Sequence, residues 1–119
     1  MLKLDISADC GNAPKMQLIK DLNIAFAKGD IETVTGFFAD HIIWEMIGDR
    51  TLEGKDKVIA YLHEMADMKA TGLVLHQVIT HGKDAAARGV LMFENISIAF
   101  ADFYEFTSAG SGQIKRITS

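Results

Sequence analysis

The sequence has almost none of the features from which disulfides, chain breaks and membrane spans are built. Its 119 residues include one cysteine, Cys10, and one proline, Pro14. A lone cysteine has no intrachain partner, so an internal disulfide is excluded. No apolar run reaches the roughly 18 residues that a membrane-spanning helix needs, and the first residues lack the apolar core of a signal peptide. These absences favour the reducing cytoplasm.

The sequence also lacks an excess of positive charge. Twelve Lys and Arg residues stand against sixteen Asp and Glu residues, which gives a formal net charge of −4. Nucleic acids and anionic membranes would gain little from such a surface, so neither is expected as a partner. Since 49% of the residues are hydrophobic, we expect one folded domain over residues 1–119. Residues 1–13 show no sustained periodicity and are expected to be flexible.

The first half of the chain has mainly helical signals. Pro14 suits the first turn of a helix, because its missing N–H would be unpaired there, and Gly29 supplies a stop. Asp30 then caps a second helix. The predicted elements are helices over residues 14–28, 31–39 and 55–68, a strand from residue 40 to 47, and a short extended piece over 50–53.

The second half has the alternation of strands. Four runs, over residues 73–81, 85–93, 96–107 and 113–118, are separated by turn signals. The predicted order is therefore αα-β-β-α-ββββ, with helices and strands segregated instead of alternating. This order predicts an α+β fold in which a curved antiparallel sheet wraps around three helices.

Two short hairpins fix which strand residues share a face. Turns at Gly82-Lys83 and Glu94-Asn95 would place Val78 opposite Ala87, His76 opposite Gly89 and Ala87 opposite Asp102. The small residues of the middle strand then leave a hollow on this face. His76 and Asp102 would flank the hollow from opposite sides, with Cα atoms on the order of 10 Å apart.

This hollow predicts an apolar ligand pocket with two polar groups. Asp102 and His76 are the candidate catalytic residues, because buried carboxylic acids and imidazoles exchange protons near neutral pH. For Trp44 and Tyr104, contact with a ligand and simple core packing both remain open. The candidate ligand-binding residues are Trp44, Met46, Tyr61, Met65, Phe100 and Tyr104. No cofactor is indicated and no metal site is proposed, since His76 and Asp102 are too far apart to share an ion.

The opposite face of the sheet is too apolar for full exposure to water. Its predicted residues are Leu75, Gln77, Ile79, Arg88, Val90, Met92, Ala99, Ala101, Phe103 and Glu105. Because the helices are expected on the other face, we expect a second copy of the chain to cover this one in a homodimer.

Several local strings, in their order and spacing, resemble the nuclear transport factor 2-like superfamily, which includes ketosteroid isomerases and SnoaL-like polyketide cyclases. They are Ala27-Lys28-Gly29-Asp30, Phe38-Ala39-Asp40, Leu52-Glu53-Gly54 and Ala101-Asp102-Phe103-Tyr104-Glu105-Phe106. The resemblance spans nearly the whole chain. It implies a cone-shaped sheet closed by helices around a deep apolar cavity, usually in a homodimer.

Only one of the functional residues of ketosteroid isomerases has a match in this sequence. Asp102 matches the aspartic acid that binds the oxyanion. The position of the general base falls on Met46 and that of the tyrosine on Leu22, and neither can move a proton. The resemblance therefore does not imply isomerisation by that mechanism.

Three functions remain open from the sequence. The first is a small-molecule-binding domain that holds an apolar, carbonyl-bearing compound. The alternative is an isomerase, cyclase or lyase that uses Asp102 and His76 as general acid and base. The third is an interaction module that works through the outer sheet face.

Overall fold

The computed structural model describes residues 2–7, 13–65 and 67–119. Three helices pack on one side of a curved, unclosed sheet of seven strands, which confirms the α+β class. The helices are α1 (Pro14–Lys28), α2 (Ile31–Gly36) and α3 (Lys55–Met65). The strands are β1 (Lys3–Ile6), β2 (Phe38–Met46), β3 (Arg50–Glu53), β4 (Gly72–His81), β5 (Asp84–Met92), β6 (Ser97–Phe106) and β7 (Ile114–Thr118).

Helix α1 begins and ends, and α2 begins, where the sequence places their caps. Pro14 opens α1, and Gly29 closes it with a φ of 75°, a left-handed conformation that glycine adopts without strain. The Asp30 carboxylate then accepts hydrogen bonds from the backbone N–H of Thr33, at 3.3 Å, and from its hydroxyl, at 2.7 Å. The predicted extent of α2 is wrong, because the helix ends at Gly36 and Phe38 already belongs to β2, two residues earlier than the alternating pattern suggests.

The sheet order is β1-β4-β5-β6-β7-β2-β3. Four pairings among the described residues are antiparallel, as predicted for the curved sheet, and two are parallel, β1 with β4 and β2 with β7. Within the segment 1–13, Lys3–Ile6 forms a strand, which the sequence analysis did not predict, and it pairs along the edge of β4. Cys10 lies outside the described residues.

A β-bulge in β4 changes the predicted faces of that strand. Beyond the first hairpin Val78 pairs with Ala87 as expected, but Gly89 pairs with Leu75 instead of His76. The extra residue switches the alternation, so Leu75 is fully buried and His76 is exposed. Pairing of β5 with β6 is as predicted, with Ala87 opposite Asp102 and Gly89 opposite Phe100.

The hydrophobic core fills the space between the helices and the concave side of the sheet. Its fully buried members include Ile19 of α1, Val58 of α3 and Phe106 of β6. The convex side retains exposed apolar side chains, notably Ile79 at 53% and Phe103 at 63% exposure. Leu75, predicted for that side, belongs to the core instead. No helix among the described residues is long and apolar enough to cross a membrane.

Candidate functional site

A pocket of about 250 Å³ lies between the concave side of the sheet and the helices. Residues from all three helices and from β2, β5, β6 and β7 form its wall. The wall is mainly aliphatic and aromatic. Its aromatic members are Phe26, Phe38, Trp44, Phe93, Phe100 and Tyr104.

The small residues of β5 are buried on the concave side but do not line the pocket, to which this strand contributes Leu91. They are Ala85, Ala87 and Gly89. A Cβ atom at Gly89 would lie 2.0 Å from the carbonyl oxygen of Val74 and 3.0 Å from the Phe100 ring. Glycine is therefore required where the bulged strand approaches β5 and the Phe100 ring lies against the backbone.

The polar part of the pocket centres on Asp102. Asp102 and Tyr104 are two residues apart on β6, so both side chains face the concave side. The Tyr104 hydroxyl donates to Oδ2 of Asp102 at 3.3 Å and accepts from Nδ2 of Asn23 at the same distance. The Asn23 amide nitrogen also donates to the Ile19 carbonyl at 2.9 Å.

Ser119 lies near Asp102 on the β2 side of the pocket. Nε1 of Trp44 donates to Oγ of Ser119 at 3.0 Å, and the Ser119 side chain has a lowering effect on the pKa of the Asp102 carboxyl. Phe103 of β6 pairs with Thr118 of β7. The next position in this antiparallel register would place Ser119 opposite Asp102. The backbone of Ser119 is fixed against β2 by hydrogen bonds with Glu45 and Ile47.

Burial dominates the protonation of both ionisable groups. Desolvation raises the pKa of the Asp102 carboxyl, against the smaller lowering effect of the hydrogen bonds from Ser119 and Tyr104. Burial likewise raises the pKa of the Tyr104 phenol well above its usual value, and the neighbouring Asp102 charge adds to this. Tyr104 therefore stays a neutral hydrogen-bond donor at any physiological pH.

The structure brings five of the eight sequence-predicted site residues into the pocket wall. They are Trp44, Met65, Phe100, Asp102 and Tyr104. Met46 and Tyr61 lie outside the wall and pack against the core. The Tyr61 ring packs edge-on against the Trp44 indole, with centroids 5.6 Å apart.

His76 is not part of the site. The bulge between Leu75 and Gln77 turns its imidazole to the solvent-exposed side of β4. The predicted approach of His76 and Asp102 to one ligand is therefore wrong, because it assumed an unbroken hairpin register.

Two polar residues of the site escaped the sequence analysis. Asn23 follows Ile19 by four positions, so both lie on the same face of α1. This helical spacing could have indicated that Asn23 is buried. No local signal indicates Ser119, because its approach to Asp102 depends on the pairing of β7 with β6 and β2.

Comparison with known proteins identifies the fold and the family. An NTF-2-like protein of unknown function from Burkholderia xenovorans LB400 superposes with a TM-score of 0.75 at 15% identity, over 87% of this chain and 79% of that one. SalBIII, an epoxide hydrolase/cyclase-like enzyme of pyran ring formation in salinomycin, superposes with a TM-score of 0.75 at 16% identity, over 87% of each chain. A candidate ketosteroid isomerase from Kribbella flavida DSM 17836 gives 0.73 at 15% identity, over 87% of this chain and 74% of that one.

These likenesses confirm the nuclear transport factor 2-like fold. No curated protein matches the sequence. The family model of the SnoaL-like domain matches residues 19–117. Since this match covers most of the chain, the protein belongs to the SnoaL-like domain family.

Proposed function

We propose that the protein binds a small apolar molecule in the pocket, with Asp102 as the polar anchor. The observation that carries this proposal is an apolar wall of about 250 Å³ interrupted by one partly buried acid of raised pKa. A wall of this kind gains free energy by removing apolar ligand surface from water, at roughly 25 cal/mol per Å². The acid supplies orientation and selectivity.

The pocket volume bounds the ligand. An apolar cavity of about 150 Å³ is enough for benzene, and drug-sized sites begin near 300 Å³. A volume of about 250 Å³ suits a compact molecule of one or two rings better than a four-ring steroid. We expect a carbonyl, ether or similar oxygen at the end that reaches Asp102.

The proposal is tested with a shape-matched pair, 2-decalone and decalin, by calorimetry and thermal shift. We expect 2-decalone to bind more tightly than decalin by about tenfold, the value of one hydrogen bond of roughly 1.4 kcal/mol. Asp102→Val removes the polar group and should abolish this preference, whereas Asp102→Asn keeps a donor and should retain it. Absence of any thermal shift with either compound would contradict the proposal.

A second candidate function is catalysis by Asp102 on the same ligand. It is favoured by the raised pKa of Asp102, which brings a carboxylic acid closer to the pH range of general acid–base work. The structural likeness to SalBIII gives this candidate a reaction class, opening or closing of an oxygen-containing ring. Turnover that survives Asp102→Asn undiminished would exclude Asp102 as the catalyst.

We also propose a homodimer through the convex side of the sheet. The support is the exposure of Ile79 and Phe103 on strands that no helix covers. A lone cysteine further supports a cytoplasmic location for this assembly. An interaction module for another protein is the competing use of the same face.

A further inference from the structure

The pocket wall changes from buried to exposed along β6. Every second residue of this strand faces the concave side of the sheet. Tyr104 is 4% exposed, Asp102 and Phe100 are half-buried, and Ile98 is 44% exposed. All four line the pocket. The pocket is therefore closed at the Tyr104 end, which we call the inner end, and open to water at the Ile98 end, which we call the open end.

A second part of the wall, formed by α3 and the residues after it, changes in the same direction. Leu62 is buried, Met65 is half-buried and Met68 is 55% exposed, and all three line the pocket. Backbone hydrogen bonds hold the segment after α3 in place. The N–H of Met68 donates to the Met65 carbonyl at 2.9 Å, and the N–H of Thr71 donates to the Met92 carbonyl at 2.7 Å. The open end therefore has a fixed border.

The described wall residues at the open end are apolar. They come from the end of α3, the segment after it and the adjoining ends of β5 and β6, and are Met65, Met68, Ala70, Leu91, Phe93 and Ile98. The polar side chains of the wall lie farther in, where Asn23 and Asp102 are hydrogen-bonded to the Tyr104 hydroxyl. Apolar surface that continues from a pocket to its exposed border marks a place where a ligand removes it from water.

A row of paired residues across three strands marks the inner end. Trp44 of β2 pairs with Ile117 of β7, which in turn pairs with Tyr104 of β6. All three line the pocket. Tyr104 and Ile98 are six residues apart on β6, a distance of roughly 20 Å along a strand. A compact ligand at the inner end would thus leave a stretch of apolar wall uncovered in front of it.

We propose that the open end is a subsite for an unbranched alkyl chain. The ligand is then an elongated molecule with a compact head at the inner end and a tail that lies across Met68, Phe93 and Ile98. An alkyl chain fits because it can extend along the strand and makes no demand for hydrogen bonds, which this part of the wall does not offer. The subsite rests on the proposed binding function and adds the ligand's shape and direction to it.

The subsite is tested by calorimetry with 4-n-alkylcyclohexanones from methyl to octyl. The ring and its oxygen are the same in every member, so their interactions cancel in the comparison. A fully buried CH₂ group tightens binding by about fourfold, and one that stays half in water by about twofold. We expect the affinity to rise by about twofold per CH₂ group from butyl to octyl, with one site per chain. Equal affinities of the butyl, hexyl and octyl members would overturn the subsite and leave the binding function intact.

Two substitutions at the border test the path of the chain. Ile98→Thr and Met68→Gln exchange exposed apolar side chains for polar ones of similar size, so the fold should be kept. Each should weaken binding of the octyl member by about threefold and leave the methyl member unchanged. Ile47→Thr makes the same change at a residue that is 72% exposed and outside the wall, so it is the control. Unchanged binding of the octyl member in both border variants would overturn the assignment.

The direction of the ligand is tested through the fluorescence of Trp44, the only tryptophan of the chain. Bromine quenches an indole only at close range. We expect 4-(bromomethyl)cyclohexanone to quench Trp44 and the octyl member with bromine on its last carbon not to quench it. Quenching by the chain-end bromine would mean that the tail lies at the inner end, contrary to the proposal.

Sedimentation velocity distinguishes the alkyl tail from another occupant of the open end. The octyl member should leave the oligomeric state unchanged. Dissociation of a dimer by this compound would mean that a second copy of the chain covers the open end, and it would overturn the assignment. If no member of the series binds, including the methyl compound, the proposed binding function fails together with the subsite.

Discussion

At the scale of single residues, burial changes the protonation of Asp102, the acid of the pocket wall. Its folded-state pKa lies above the ordinary value of 3.8 because of burial, so the folded chain binds this proton more tightly than the unfolded chain does. The contribution of Asp102 to stability is therefore most favourable below pH 3.8 and is lost as the pH rises through the folded pKa.

This sign gives a prediction for Asp102→Asn, which cannot ionise. Relative to the variant, the wild type should lose stability as the pH is raised from about 4 towards neutrality. Urea unfolding of both proteins across this pH range measures the difference in free energy of unfolding. Parallel stability curves would mean that the acid is solvated in the folded state, contrary to its position beside Tyr104.

The sequence was sufficient to find Asp102 but not the residues that position it. An acid in an otherwise apolar alternation, Phe100, Asp102, Tyr104, stands out because burying a carboxyl is costly. Ser119 has no such signal, since serine is ordinary near the end of a strand. Its contact with Asp102 arises from the pairing of three strands, which local sequence does not encode.

At the scale of secondary-structure elements, the bulge in β4 is the main departure from the predicted register. The two-residue turn fixes the pairs near the hairpin end, and Val78 opposite Ala87 is confirmed. Farther along, an extra residue at His76 bends the strand. The bulge lies several residues from the turn, so the turn signal that fixes the register of the hairpin did not indicate it.

Gly89, which pairs with β4 next to the bulge, should be important for the stability of the fold. In Gly89→Ala the new methyl group would lie 2.0 Å from a backbone oxygen of β4, which cannot yield without moving the strand. We expect a loss of at least about 2 kcal/mol of unfolding free energy, typical of an overpacked core. Gly110→Ala, where nothing lies within 4 Å of the added atom, is the control and should cost much less in the same urea titration.

At the scale of the whole molecule, the convex side of the sheet is the surface through which we propose that two copies of the chain associate. Phe103 is the most exposed large apolar residue of the sheet strands, at 63%. If the homodimer forms there, Phe103→Glu should place like charges across the two-fold axis and yield monomers in sedimentation velocity at micromolar concentration. Ile47→Glu, in the turn after β2, replaces an apolar residue that is still more exposed, at 72%, and should leave the dimer intact. A wild type that sediments as a monomer would contradict the proposed dimer.

The parallel pairing of β2 with β7 brings together polar residues that are far apart in the sequence. Asn23, Trp44, Asp102 and Ser119 come from distant parts of the chain, and they meet once β7 inserts between β2 and β6. Such long-range closure is slow compared with forming a hairpin. We therefore expect the polar residues around Asp102 to come together only when β7 pairs with β2 and β6, after the local hairpins of β4, β5 and β6 have formed.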